Sequence, residues 1–318
     1  MCLLAFHAGM MRLLEAKPMN ADKQCGVHTM KRTPKNPGDN EKILNAALLT
    51  NAEARFLVAN YYQSQEMRKR SDLQIRHLGP ERAEGNVIPE VLMLTAEQFM
   101  HAEETMAKAL RRFAENRAVG QWCMLNPGVG PIITAGLLAH LDITKAATAG
   151  AFWKFTGLDP TIEWNKGEKR PYSADAKQLV YHLGECFKRV SGRYPSSLYV
   201  RLYKERKQFI VARNERGFYA ERAKTFKTNS ADVKKVLKKG MLPTGHLDRQ
   251  ACNFAAKIFL AHLHGVMFWD HYNSPPPRPF MIAHRGHTHE IKIPHTEKLF
   301  PGFAEAYYNG TPLQEAAE

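Results

Sequence analysis

The sequence predicts an all-α protein. Apolar residues recur at helical spacing along most of its 318 residues, and almost no segment alternates with a period of two. Gly and Pro gather in short clusters that punctuate long helical stretches. With 44% hydrophobic and 24% charged residues, the composition is that of a globular chain, which excludes wholesale disorder.

Residues 1–40 read as an irregular tail, broken by Pro18, Pro34, Pro37 and Gly38, in which Met10, Met11, Met19 and Met30 each offer a later start. Residues 41–117 read as a coiled-coil-like helical hairpin. Its first helix, 41–77, carries Leu44, Ala47, Leu48, Ala54, Leu57, Val58 and Tyr61 at helical spacing, and Leu78-Gly79-Pro80 is expected to stop it. Pro89 opens the second helix, to about Asn116, along which Leu92, Phe99, Met106, Leu110 and Phe113 form a heptad-like seam. Two long helices across a short break fold back antiparallel. The seam serves either as an internal packing face or as an arm for homo-oligomerisation, with the packing face preferred.

Residues 118–190 hold two short helices around Pro127-Gly-Val-Gly130, then a loop-rich stretch over 143–172, then a helix over Ala174–Val190. Residues 191–274 are expected to form a long basic helix at about Ser197–Phe226, a short basic piece at Lys234–Lys239 and a hydrophobic helix at about His246–Tyr272. Pro275-Pro276-Pro277 then stiffens the start of a Pro/His-rich, irregular tail, 275–318.

Charge narrows the partners. Lys and Arg number 45 and Asp and Glu 31, a net charge of +14, which favours a polyanion, nucleic acid before an anionic membrane surface. Five scattered cysteines without a C-x-x-C pair fit reduced thiols in the cytoplasm. The most apolar stretch, Cys252–Trp269, is interrupted by Lys257, His262 and His264 and reads as a core helix with satisfied histidines, so no membrane partner is expected.

The most informative segment is the Pro-Gly-Val-Gly turn. Gly128 and Gly130 let backbone amides approach a phosphate oxygen, and Pro131 starts the next helix at once, so its unpaired N–H groups and its dipole point the same way. Gly128, Val129, Gly130 and Ile132 are therefore candidate DNA-binding positions. Contacts of this kind hold the sugar-phosphate backbone and carry no sequence information. The bland alternative is an ordinary turn between two helices.

With its apolar lead-in and Ala135, Leu137 and Leu138 to pack the second helix, the segment resembles the helix-hairpin-helix motif of DNA-binding proteins. Together with Ala135-Gly-Leu-Leu138, Asp142-Ile143, Phe152, Gly157-Leu-Asp-Pro160, Lys169-Arg170 and Ser173–Lys177, residues 117–190 resemble the C-terminal domain of the insertion-sequence-110 family of transposases (the 110/116/902 group). That resemblance implies DNA binding and an association with transposition and recombination, and it makes Lys166, Lys169 and Arg170 candidate DNA contacts. The family also has a ribonuclease-H-like N-terminal domain with four acids, which residues 1–40 do not supply, and a serine nucleophile in the loop matching Thr161–Tyr172, where no serine stands. Ser173 is the nearest catalytic candidate. Its place at a helix start reads as an N-cap.

Between Arg201 and Lys239 lie thirteen Lys/Arg against four acids. Arg201, Lys204, Lys207 and Arg213 are further candidate phosphate contacts. The interleaved Tyr199, Tyr203, Phe209, Phe218 and Tyr219 are expected to be core rather than base-stacking residues. His284, His287 and His289, beside Glu290, have the spacing of a zinc or nuclease-metal site, and the alternative is a set of hydrogen-bonding groups in the tail. No cofactor is expected on the second reading and a divalent metal on the first.

The sequence thus points to a DNA-binding protein, with structured RNA left open as a partner. Two alternatives stand beside it: an active transposase, recombinase or metal-dependent nuclease, and a helical scaffold.

Overall fold

In a computed structural model the structure describes residues 37–81, 89–165, 167–279 and 290–309. Among them the regular structure is helical throughout, with no strand. Lys166, His284, His287 and His289 lie outside the described residues.

A capping box sets the start of the hairpin. The Thr50 hydroxyl accepts from the Glu53 amide at 3.3 Å, and the Glu53 carboxylate accepts from the Thr50 amide at 2.7 Å. This divides the expected single helix in two: α1 at Pro37–Asn45, with a 3₁₀ turn at Ala46–Leu48, and α2 at Asn51–Glu81. The helix also runs one residue past Pro80, because a proline in the last turn removes only a terminal amide bond. Helix α3, Glu90–Glu115, packs antiparallel against α2. Their apolar contacts gather at the base of the hairpin, where Ala54, Val58, Leu110 and Phe113 are buried, and Ala96 is buried further out. Further out, Arg68 reaches Glu103 across the pair at 2.6 Å, and Leu92 is exposed rather than part of a seam.

The base packs on α5 (Pro131–His140), the second helix of the turn motif, which follows α4 (Ala118–Met124). Ile133 to Ala139 are all buried, and Arg55 of α2 donates to the Ala139 carbonyl at 2.7 Å, closing the C-terminal end of α5. A short helix unforeseen in the loop-rich stretch, α6 (Ala149–Phe155), buries Phe152. Helix α7 (Ala174–Arg189) crosses α5 at Gly136, where a Cβ would come within 2.7 Å of Leu179.

The expected long basic helix is broken. Helix α8 (Leu198–Glu215) ends at Gly217, whose φ of +77° suits glycine, and α9 (Ala220–Thr225) and α10 (Ala231–Lys238) follow. Asn214 fixes the return by accepting from the Leu242 amide and donating to its carbonyl. Helix α11 (Thr244–Tyr272) is the central element, packed against α4, α6, α7 and α8. It is the one helix among the described residues long and apolar enough to cross a membrane, and 61% of its apolar window is buried in the protein. His262 bonds the Tyr199 hydroxyl at 2.8 Å and the Ile291 carbonyl at 3.0 Å, and His264 bonds the Ala146 carbonyl at 2.8 Å, so both are satisfied core residues.

Residues 290–309 belong to the stretch expected to be an irregular Pro/His-rich tail. They have little regular structure, yet Ile293, Phe300, Phe303 and Tyr307 are buried against the core, and the Trp122 indole donates to the Pro294 carbonyl at 2.7 Å.

Candidate nucleic-acid interface

The turn between α4 and α5 is rigid from within. Buried Asn126 donates to the Trp122 carbonyl at 2.8 Å, capping α4, and its own carbonyl accepts from the Val129 amide at 3.0 Å. The two glycines then do different jobs. Gly128 has φ of +96°, and a Cβ there would lie 3.2 Å from the Val190 side chain and 3.3 Å from the Cys186 carbonyl. It seats the turn on the C-terminal end of α7 and faces protein. Gly130 is the N-cap of α5, with φ of −84° and nothing within 4 Å of a built Cβ. Val129 is buried, while Gly130, Pro131 and Ile132 reach the surface. The amides of Ile132 and Ile133 precede the first intrahelical bond of α5, made by the Thr134 amide to the Gly130 carbonyl, so they are the unpaired donors at the helix start.

Seating on α7 sets the turn against Cys186 and Val190; Arg189 and Arg193 neighbour Val190 in the chain, and Arg193 lies over Tyr194 at 5.4 Å from the ring centre. Both arginines are exposed. Neither stood out in the sequence, because nothing local marks the end of α7 as the floor of the Gly128 turn. Lys169 and Arg170 lead into the opposite end of α7, which at 16 residues is about 24 Å long. They are exposed, and Arg170 stacks near Trp164 and Tyr172, but the structure does not bring them to the turn.

Ser173 accepts from the Ala176 amide at 3.3 Å and caps α7, while its own amide bonds the Phe155 carbonyl.

On α8 the candidate cations separate. Arg201 lies 3.6 Å from Glu205 on the surface, and Lys204 is half-buried. Lys207 is engaged in a polar cluster around Asp248 of α11, which is 8% exposed. Asp248 receives Lys188 at 2.5 Å, Lys207 at 2.7 Å and the Tyr203 hydroxyl at 2.7 Å. Burial raises the pKa of this carboxyl, but the hydrogen bonds from Lys188, Lys207 and Tyr203 outweigh it and bring it down to about 2. Lys207 is therefore a structural cation joining α8 to α11, a partner hidden from the sequence because it lies 41 positions away.

Glu185, Asp248 and Cys252 bring possible metal-ligating atoms within 4.8 Å of one another. Their chemistry does not suit a cation. Glu185 is paired with Arg249, Asp248 with two lysines, and burial pushes the Cys252 thiol up to about 12.

The aromatic expectation divides. Tyr199 and Tyr203 are core, but Phe209 and Phe218 are exposed at 48% and 62%. Ile210 occupies the buried side of α8, so its neighbour Phe209 is turned some 100° away, toward solvent. Arg206 lies over Phe209 and over Phe254 of α11 at 5.2 and 5.0 Å from the ring centres. Arg213 lies over Phe218 at 3.2 Å and Phe209 at 5.3 Å. Comparison with protein families, curated proteins and solved structures finds no match for the chain.

Proposed function

We propose that this chain is a DNA-binding protein of transposase ancestry that grips one phosphate backbone at the start of α5. The observation that carries the reading is the open N-cap at Gly130, with two unpaired amides behind it. An anion placed there meets donors already aligned by a buried helix and a turn locked to α7, so little ordering accompanies binding. The net charge of +14 supplies long-range attraction and little sequence preference. The resemblance of residues 117–190 to insertion-sequence-110 transposases supports the same reading and links it to recombination.

Nothing at Ser173 favours catalysis. Its hydroxyl serves a backbone amide, and it opens the far end of α7 from the turn. The test is duplex binding by the full chain, compared with a Gly130→Asp variant. Weaker binding by a folded variant is expected, and equal binding overturns the assignment.

A further inference from the structure

We propose that the exposed face of α8 is a stacking platform for unpaired bases of single-stranded nucleic acid. The inference extends the DNA-binding reading to a second surface, and it stands on separate residues.

Arg206, Phe209 and Arg213 fall on one stripe of α8, at spacings of three and four residues. Phe254 of α11 flanks one end and Phe218 the other, giving the spatial order Phe254, Arg206, Phe209, Arg213, Phe218. Two of the three rings are exposed, although burying a phenylalanine is ordinarily favourable. The stripe borders a groove of about 730 Å³ floored by Leu198, Leu202 and Ile291.

Charge selects the occupant. The acids beside the groove are already neutralised: Glu205 by Arg201 and Glu290 by Arg278. Among the described residues no carboxylate pairs with Arg206 or Arg213, whose guanidinium groups lie on phenyl rings. A flat aromatic ligand carrying a negative charge satisfies both features. The base replaces an arginine on a ring face, and the displaced guanidinium takes the adjoining phosphate through paired hydrogen bonds. Duplex DNA hides its base faces and gains nothing from the rings.

The test uses the full chain and three labelled single strands of equal length: oligodeoxyuridylate, oligouridylate and an abasic phosphodiester chain. Fluorescence anisotropy should show both base-bearing strands binding at least fivefold tighter than the abasic one. Phe209→Ala with Phe218→Ala should remove most of that margin, while melting as the wild type does, since both rings are exposed. Phe209→Trp should retain it, and its fluorescence should be quenched as bases stack. Tighter binding of one sugar type than the other identifies DNA or RNA as the source. Equal binding of abasic and base-bearing strands, or an unchanged margin in the double variant, overturns the platform. Gly130→Asp separates the two surfaces: loss of duplex binding with the single-strand margin intact leaves the platform standing, and an unaffected duplex affinity refutes the turn without touching it.

Discussion

Gly130→Asp is the sharpest perturbation of the turn, because stability and binding should move in opposite directions. Gly130 already has the extended geometry of an N-cap, φ −84° and ψ 168°, and a Cβ there meets nothing within 4 Å. An aspartate fits without strain, and its carboxylate accepts from the Ile132 or Ile133 amide. The cap and the helix dipole together should add roughly 0.3–1 kcal/mol. For a chain of this size that raises Tm by about 1–3 °C. The same carboxylate takes the donors that a phosphate needs and repels it. Losing one charge-assisted hydrogen bond costs about 1.5–3 kcal/mol, or roughly 10- to 150-fold in affinity for duplex DNA. The measurements are a thermal melt and an anisotropy titration with a short duplex. A variant at least as stable as the wild type that binds the duplex equally well refutes the reasoning. Gly128 cannot serve as this probe: at φ +96°, packed on Cys186 and Val190, an alanine there strains the turn by at least about 1 kcal/mol and lowers Tm whatever it does to binding.

Other outcomes follow from the buried polar groups. Burial lowers the pKa of His262 to about 4, against an ordinary 6.5, so the unfolded chain binds more protons between those values and stability falls on acidification. About 2 kcal/mol should be lost between pH 7 and pH 5 by denaturant titration, and much of that slope should vanish in His262→Gln; a pH-independent wild type contradicts it. Asp248→Asn should cost about 2–4 kcal/mol by leaving Lys188 and Lys207 without their shared carboxylate, and an unchanged denaturation midpoint shows the cluster to be idle. Ser173→Ala should lower stability by about 1 kcal/mol and leave duplex binding intact; a protein–DNA adduct formed on supercoiled DNA and lost in this variant makes Ser173 a nucleophile instead.

Much of the architecture was legible in local pattern. The hairpin helices, the Pro131 helix start, α7 and the hydrophobic α11 follow from periodicity and punctuation. Two breaks were also written locally but outweighed by long apolar spacing: Thr50-x-x-Glu53 marks the start of α2, and Gly217 the end of α8. The packed segment 290–309 left no such mark, because its apolar residues are irregularly spaced and gain order only against α11 and α4. The turn was legible, but the division of labour between Gly128 and Gly130 depends on α7, some sixty residues on. The sequence points Phe209 and Phe218 to the core, because an aromatic among cations has no local signal for which way it faces. Only the rotation of α8, fixed by Tyr199, Tyr203 and Ile210, turns Phe209 outward.

The central claim is that phosphates, rather than bases, hold duplex DNA on this protein, and the salt dependence of binding tests it most directly. The affinity of the full chain for two duplexes of equal length and unrelated sequence is to be measured across a series of salt concentrations. Matching affinities are expected, with a steep linear fall of log K with log salt, at about −0.9 per phosphate neutralised, and a slope shallower by about one in Gly130→Asp. A flat salt dependence, or a preference for one sequence that persists at high salt, contradicts it.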